Sequence, residues 1–201
     1  MKTEVKKGII KAKIKRTSFM LKGEIMFSEL VLKRQSTREY TGAPVDKETV
    51  LKILDTARLA PSACNAQPWV MHAVVTPETV SEIVKAVNVL GANGFAKNAG
   101  AFVVVEEKPA GILDGPVKMT ASKKFSPYDT GILTAHIVLA AEDIGVKSCI
   151  LGMFDKDEII KVLGFDKNAK IALVVALGYS EETYPIRNKN RKPAEKTVKV
   201  Y

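Results

Sequence analysis

Residues that carry chemistry by themselves are scarce in this sequence: two cysteines, two histidines and one tryptophan among 201 residues. Cys64 and Cys149 are too few for a disulfide framework, so a reducing, cytoplasmic setting is the expectation. His72 and His136 show no metal-ligand spacing and read as satisfied core or interface histidines, which argues against a metal site. No acid–base dyad stands out. No apolar run approaches the roughly 20 residues that cross a bilayer, and the basic N-terminus lacks the apolar segment of a secretory signal. Gly91-Ala92-Asn93-Gly94 has neither the strand-to-helix setting nor the lysine of a phosphate loop and reads as a turn. Repeats and low-complexity tracts are missing too. What remains, 46% hydrophobic and 26% charged, is the composition of a globular domain with a sizeable core.

The net charge of +9 raises the question of nucleic acid. Its distribution answers it. Residues 1–26 hold eight Lys/Arg against two Glu, and a second basic stretch lies between Arg187 and Lys199, while the body between them is nearly balanced. Phe19 is the only ring in the first stretch, so stacking platforms for bases are missing and nucleic acid is disfavoured. Residues 1–26 read as an appended arm, poorly ordered or loosely helical.

Along the remainder, strands and helices alternate. Phe27–Lys33 has the spacing of a short amphipathic helix, and Asp46 caps a helix running to about Ala60, where Pro61 stops it. Trp69–Thr76, 101–105, Lys147–Leu151 and Ile171–Tyr179 read as strands; 101–105 is apolar on both faces and therefore covered on both. Pro77 opens a helix to about Val87, and residues 88–98 form a Gly/Asn-rich loop. Lys108–Lys124 looks like a mobile connection that could serve as a lid. Ser126-Pro127 is expected to open the longest helix, closed by Gly145, and Asp155 with Glu158 a further one, closed by Gly164. The pattern predicts helices layered around one sheet.

Two segments stand apart chemically. Arg34-Gln35-Ser36-Thr37-Arg38 concentrates two guanidinium groups and two hydroxyls, a grouping suited to a phosphate monoester. Pro61-Ser62-Ala63-Cys64-Asn65-Ala66-Gln67-Pro68-Trp69 packs small and amide residues into one loop, offering hydrogen bonds along the edge of a flat polar ring. A flat heterocycle ending in a phosphate describes flavin mononucleotide (FMN). In that loop Trp69 reads as a core anchor, and Cys64 as a small residue tolerated beside a ring.

Four segments in order also resemble one family. Arg34-Gln35-Ser36-Thr37-Arg38-Glu39-Tyr40 is similar to the Arg-x-Ser-x-Arg-x-Phe/Tyr opening of the nitroreductase flavoproteins, and 61–69 resembles their Pro-Ser-x-x-Asn-x-Gln-Pro-Trp loop. Cys149-Ile150-Leu151-Gly152-Met153-Phe154 resembles their flavin-facing segment, and Lys189-Asn190-Arg191-Lys192-Pro193 their closing tail. The resemblance spans residues 27–201. It implies an α+β fold, a three-layer α-β-α sandwich with a mixed sheet, and a homodimer with FMN at the subunit interface. It further implies hydride transfer from NADH or NADPH to a small-molecule acceptor such as a nitroaromatic or quinone, by a ping-pong mechanism. Specialised flavin reactions such as dehalogenation or flavin breakdown, and FMN binding without turnover, are the alternatives on the same scaffold. Carried over by residue, Arg34, Gln35, Ser36 and Arg38 would bind the phosphate and ribityl end, joined by Lys189 and Arg191. Pro61, Ser62, Ala63, Asn65 and Gln67 would contact the ring from the partner subunit, where the tail 180–201 would also pack. Backbone amides near Leu151 and Gly152 would face its N5 edge.

Overall fold

The computed structural model describes residues 27–108 and 116–201, the side chains of 116–123 excepted. The basic arm 1–26 and residues 109–115 of the expected lid lie outside the described residues. Four strands, β1 (Trp69–Val74), β2 (Ala101–Glu107), β3 (Lys147–Leu151) and β4 (Lys170–Gly178), form one sheet in the order β1-β2-β4-β3. Val103 and Val105 of β2 face one core, closed by α2 (Lys47–Ala57) and α4 (Pro116–Asp143) through Ile53, Leu54, Leu133 and Ile137. Phe102 and Val104 face a second core, closed by α3 (Pro77–Val87) and α5 (Lys156–Leu163) through Ile83, Val87 and Ile159. The result is the α-β-α sandwich. Its central strands are covered on both faces, as the unbroken apolar run 101–105 requires.

All named strand pairs are antiparallel, and the mixed character of the sheet is confined to one parallel bridge between Ser36 and Ser148. Strand–helix–strand alternation does not set strand direction by itself. After α3, residues 88–100 carry the chain back through two short 3-10 turns, so that Val74 at the end of β1 pairs with Phe102 near the start of β2.

Two helix boundaries differ from expectation. α2 ends at Ala57 rather than Ala60, because the turn tightens through Leu59 N–H to Thr56 O and Ala60 N–H to Ala57 O before Pro61. α4 begins at Pro116, not at Ser126, and leaves Pro127 inside the helix. Val117–Phe125 contains good helix formers and no glycine, and Pro116 suits the first turn, so residues 116–124 of the expected lid are helical and the helix continues despite the rung that Pro127 cannot make. α5 is capped as expected by Asp155, which accepts from the amides of Asp157 (3.0 Å) and Glu158 (3.1 Å), and Gly164 ends it at φ 66°. Both histidines have partners. His72 Nε2 lies 2.9 Å from buried Glu106, which also pairs with Lys108, and His136 Nδ1 lies 2.9 Å from Ile132 O. No described helix is long and apolar enough to cross a membrane.

What this frame does for the site is hold residues 36–45 against the sheet. Thr37 N–H donates to Ser148 O and Thr41 N–H to Tyr179 O, both at 2.9 Å, and Val45 N–H donates to Gly100 O. Two glycines make the close approach possible. A Cβ on Gly178 would stand 2.6 Å from the Tyr40 ring, and one on Gly100 would stand 2.8 Å from Val45 N and also strike Ala43 O. Backbone cannot swing aside as a flexible side chain can. Gly100→Ala is therefore expected to destabilise the chain by about 1–3 kcal/mol, the usual cost of overpacking, measured by urea denaturation. Unchanged stability would show that this contact is looser than the geometry states.

Candidate functional site

A cavity of about 280 Å³ lies between the 34–38 segment and the tail, lined by Arg34, Gln35, Ser36, Arg38, Arg187, Asn188, Lys189, Asn190 and Arg191. Five of these side chains are cationic and none is acidic. The structure thus brings together Arg34, Gln35, Ser36, Arg38, Lys189 and Arg191, across some 150 residues of sequence. It adds Arg187, which the sequence reading left out. The signal for it was the spacing of Arg187, Lys189 and Arg191 at every second position, a stripe of like charge in any extended chain.

The tail is tied to its own subunit at this point. Tyr184 Oη accepts from Arg38 N–H (3.2 Å), Arg187 donates from Nη2 to Ser36 O, and Lys189 donates from Nζ to Arg34 O. Gln35 completes the set. It lines the cavity, and its buried carboxamide also holds the tail: Nε2 donates to Pro185 O (3.0 Å), while Oε1 accepts from Arg187 N–H (3.0 Å) and Nε (3.3 Å). Residues 184–189 thus make hydrogen bonds within their own chain. Farther on, Val198, Val200 and Tyr201 are exposed.

Lys189 feels both its burial and the charge around it. Burial, then the neighbouring Arg34 and Arg191 guanidiniums, hold the Lys189 ammonium below the usual lysine range, with Glu142 opposing. Beneath the cluster, burial pushes the Cys149 thiol up, against Arg38, a hydrogen bond from Ser36, and Arg187. The arrangement suits an anion that accepts several hydrogen bonds and relieves the repulsion. A phosphate monoester, carrying about −1.5 to −2 charge near neutral pH, fits that description.

The 61–67 loop is held elsewhere. Buried Asp129 of α4 accepts from Ala63 N–H (3.0 Å), and its second oxygen has no partner among the described residues. Ser62 Oγ accepts from Gln67 N–H (2.9 Å), and the Gln67 amide donates to Asn65 O and Oδ1. Cys64, Asn65 and Gln67 all have positive φ, near 50°, a conformation non-glycine residues rarely adopt. Strain concentrated in one short exposed loop is a recurrent mark of a binding site. Neither Pro61, Ser62, Ala63, Asn65 nor Gln67 lines the cation cavity of its own chain, and Ala63 N–H is already engaged.

Leu151 and Gly152 do not line that cavity either. They end β3, whose other end carries the Ser148 bridge to Ser36. At about 3.3 Å per residue the separation along the strand is about 10 Å, so the cavity and this strand end share one sheet edge. The Leu151 side chain is buried, which leaves its backbone for any ligand contact, and Gly152 is exposed with nothing near its absent Cβ. Because β3 is an edge strand, alternate backbone groups point away from β4.

Comparison with known proteins bears on this arrangement. The model of the nitroreductase family matches residues 31–179. The chain belongs to the nitroreductase family. The match takes in the 34–38 segment, the 61–67 loop and the end of β3, and stops before Lys189. A protein of Archaeoglobus fulgidus bearing the name NADH dehydrogenase/NAD(P)H nitroreductase is 32% identical over 159 residues, 77% of this chain and 85% of that protein. An NADH dehydrogenase of Thermus thermophilus is 30% identical over 196 residues, 83% of this chain and 92% of that protein. Among solved structures, a nitroreductase of Exiguobacterium sibiricum in complex with FMN superimposes with a TM-score of 0.73 at 21% identity, covering 89% of this chain and 98% of that one.

The depressed Lys189 sets a pH dependence for anion binding. Only the protonated amine helps the anion, so affinity for a phosphate monoester should begin to fall once pH passes the lowered Lys189 pKa, before the ordinary lysine range. Lys189→Arg should carry that alkaline limb out of the accessible range. Titration of binding against pH, with both proteins, checks this; coincident limbs would remove Lys189 from the site.

Proposed function

We propose that the protein is an FMN-dependent oxidoreductase that passes hydride from NADH or NADPH to nitroaromatic, quinone or related small acceptors by a ping-pong mechanism. The observation that carries this reading is the acid-free cavity of five cations at one end of a sheet edge, with the Leu151–Gly152 turn at the other. Bound FMN would supply the electron chemistry, taking hydride at N5 and returning it to the acceptor. The residues present fit that group. Arg34, Arg38, Lys189 and Arg191 would hold its phosphate by charge-assisted hydrogen bonds. The outward backbone of β3 and the exposed, Cβ-free Gly152 leave room for a planar ring to lie close to the chain. A protein that lends its cofactor these contacts needs no acid–base dyad of its own.

The complete site takes two copies in this reading. The 61–67 loop, strained, exposed and absent from its own chain's cation cavity, would contact the ring held by a partner subunit. Exposed apolar side chains on α1 (Phe27–Lys33) and α4, among them Phe27, Leu32, Tyr128 and Ile132, would be covered in the homodimer. The exposed end of the tail, Val198–Tyr201, would pack on the partner. Oligomers of this kind have self-complementary interfaces.

The test begins with colour. Purified protein should be yellow or take up FMN, and NADH or NADPH should bleach it, with an acceptor restoring the absorbance; steady-state plots should give parallel lines. FMN that binds but is not bleached would mark a binding protein without turnover. Removal of halide, or consumption of the flavin itself, would mark the specialised reactions. Arg34→Ala should weaken FMN by about 1–3 kcal/mol, the range for hydrogen bonds to a charged group, and unchanged affinity would withdraw that assignment.

A further inference from the structure

Arg34 and Arg38 lie on one segment, and Arg187, Lys189 and Arg191 on another; like charges drive the two apart. No carboxylate lines the cavity between them. What holds them is a set of hydrogen bonds to neutral acceptors, with one side chain at its centre. Gln35 is 8% exposed and uses both ends of its amide on the tail, as donor to Pro185 O and as acceptor from Arg187 N–H and Nε. Arg187 in turn reaches Ser36 O. Tyr184 and Lys189 add one hydrogen bond each on either side.

We propose that Gln35, acting with Arg187, is a positioning residue that latches the tail to the 34–38 segment, so that discrimination between phosphorylated and unphosphorylated flavin depends on a neutral amide. The inference rests on the FMN reading and deepens it. Without the latch, Lys189 and Arg191 leave with the tail, and the phosphate keeps only Arg34 and Arg38. The ring contacts, assigned to other segments, stay in place. A glutamine suits the position because it both donates and accepts. Glutamate would keep the two hydrogen bonds from Arg187 but lose the donor to Pro185 O, and would put a carboxylate into the anion's cavity. The depressed ammonium of Lys189 is consistent with a site assembled against repulsion and relieved by an anion.

The experiment measures FMN and riboflavin affinities of the full chain, freed of flavin, by fluorescence quenching, for wild type, Gln35→Ala, Arg187→Ala, the double variant and Gln35→Glu. Trypsin cleavage after Lys189 and Arg191, with and without millimolar inorganic phosphate, follows the tail independently of flavin. Gln35→Ala and Arg187→Ala should each weaken FMN about tenfold to a hundredfold and leave riboflavin unchanged, with the double variant little worse than either. Phosphate should slow cleavage in wild type and not in Gln35→Ala. Gln35→Glu should keep the tail protected while losing FMN affinity. Equal losses for FMN and riboflavin, additive losses, or no loss at all would overturn the latch. Arg187 is exposed, so Arg187→Ala carries the test should Gln35→Ala fail to fold. A wild type that binds neither flavin, yet is protected by phosphate, would sink the FMN reading and leave the latch standing. One that binds FMN without phosphate protection of the tail would do the reverse.

Discussion

Five cations around one small cavity repel each other, and that repulsion shapes the site more than any attraction within it. Folding two basic segments against each other is unfavourable unless other contacts outweigh it. Here the acceptors are neutral groups: the Gln35 amide, the Tyr184 hydroxyl, and backbone carbonyls of residues 34 and 36 that accept from Lys189 and Arg187. Such an arrangement stays short of negative charge until a ligand brings it. A carboxylate in the place of Gln35 would offset part of the cluster's charge from within and weaken its hold on an anion. The chain therefore holds its charges close and leaves them unpaired on the cavity side.

The sheet makes this possible by giving the 34–45 segment a rigid edge to rest on. Ser36 bridges Ser148, Thr37 and Thr41 donate to the ends of β3 and the residue after β4, and glycines 100 and 178 let backbone and the Tyr40 ring come closer than any side chain would allow. The same strand that anchors Ser36 runs on to Leu151 and Gly152. In the proposed FMN reading, the phosphate would lie near one end of β3 and the ring near the other, so the strand that anchors Ser36 would also set where the ring lies.

Much of this was legible in the sequence. The apolar run 101–105 required cover on both faces, Asp155 and Gly164 marked the ends of α5, and the cations at 34, 38, 189 and 191 did converge. Three things were not legible, each for a local reason. Ser126-Pro127 has the form of a helix start, yet Val117–Phe125 favours the helix strongly enough to run through it. Gln35 sits inside a phosphate-like motif, but nothing local says that its amide faces a segment 150 residues away. Arg187 lies outside the tail motif and was read as part of a basic end; only the fold shows it reaching back to Ser36. Side chains whose partners are distant in sequence are the ones a linear reading misplaces.

The 61–67 loop presents the remaining physical problem. Three non-glycine residues with positive φ, stabilised by Asp129 at one end and by the Asn65–Gln67 amides at the other, amount to a shape maintained at a cost of order 1–3 kcal/mol per strained residue. The loop does not line the cation cavity of its own chain, and in the proposed dimer it would reach a ligand held by the other copy. The apolar side chains left uncovered on α1 and α4 supply the driving force for such a contact, since burying them stabilises association by roughly 25 cal/mol per Å² of apolar surface before the costs of association are counted. In the proposed dimer, loop strain and uncovered apolar surface, two costs to the isolated chain, would both be offset by one event.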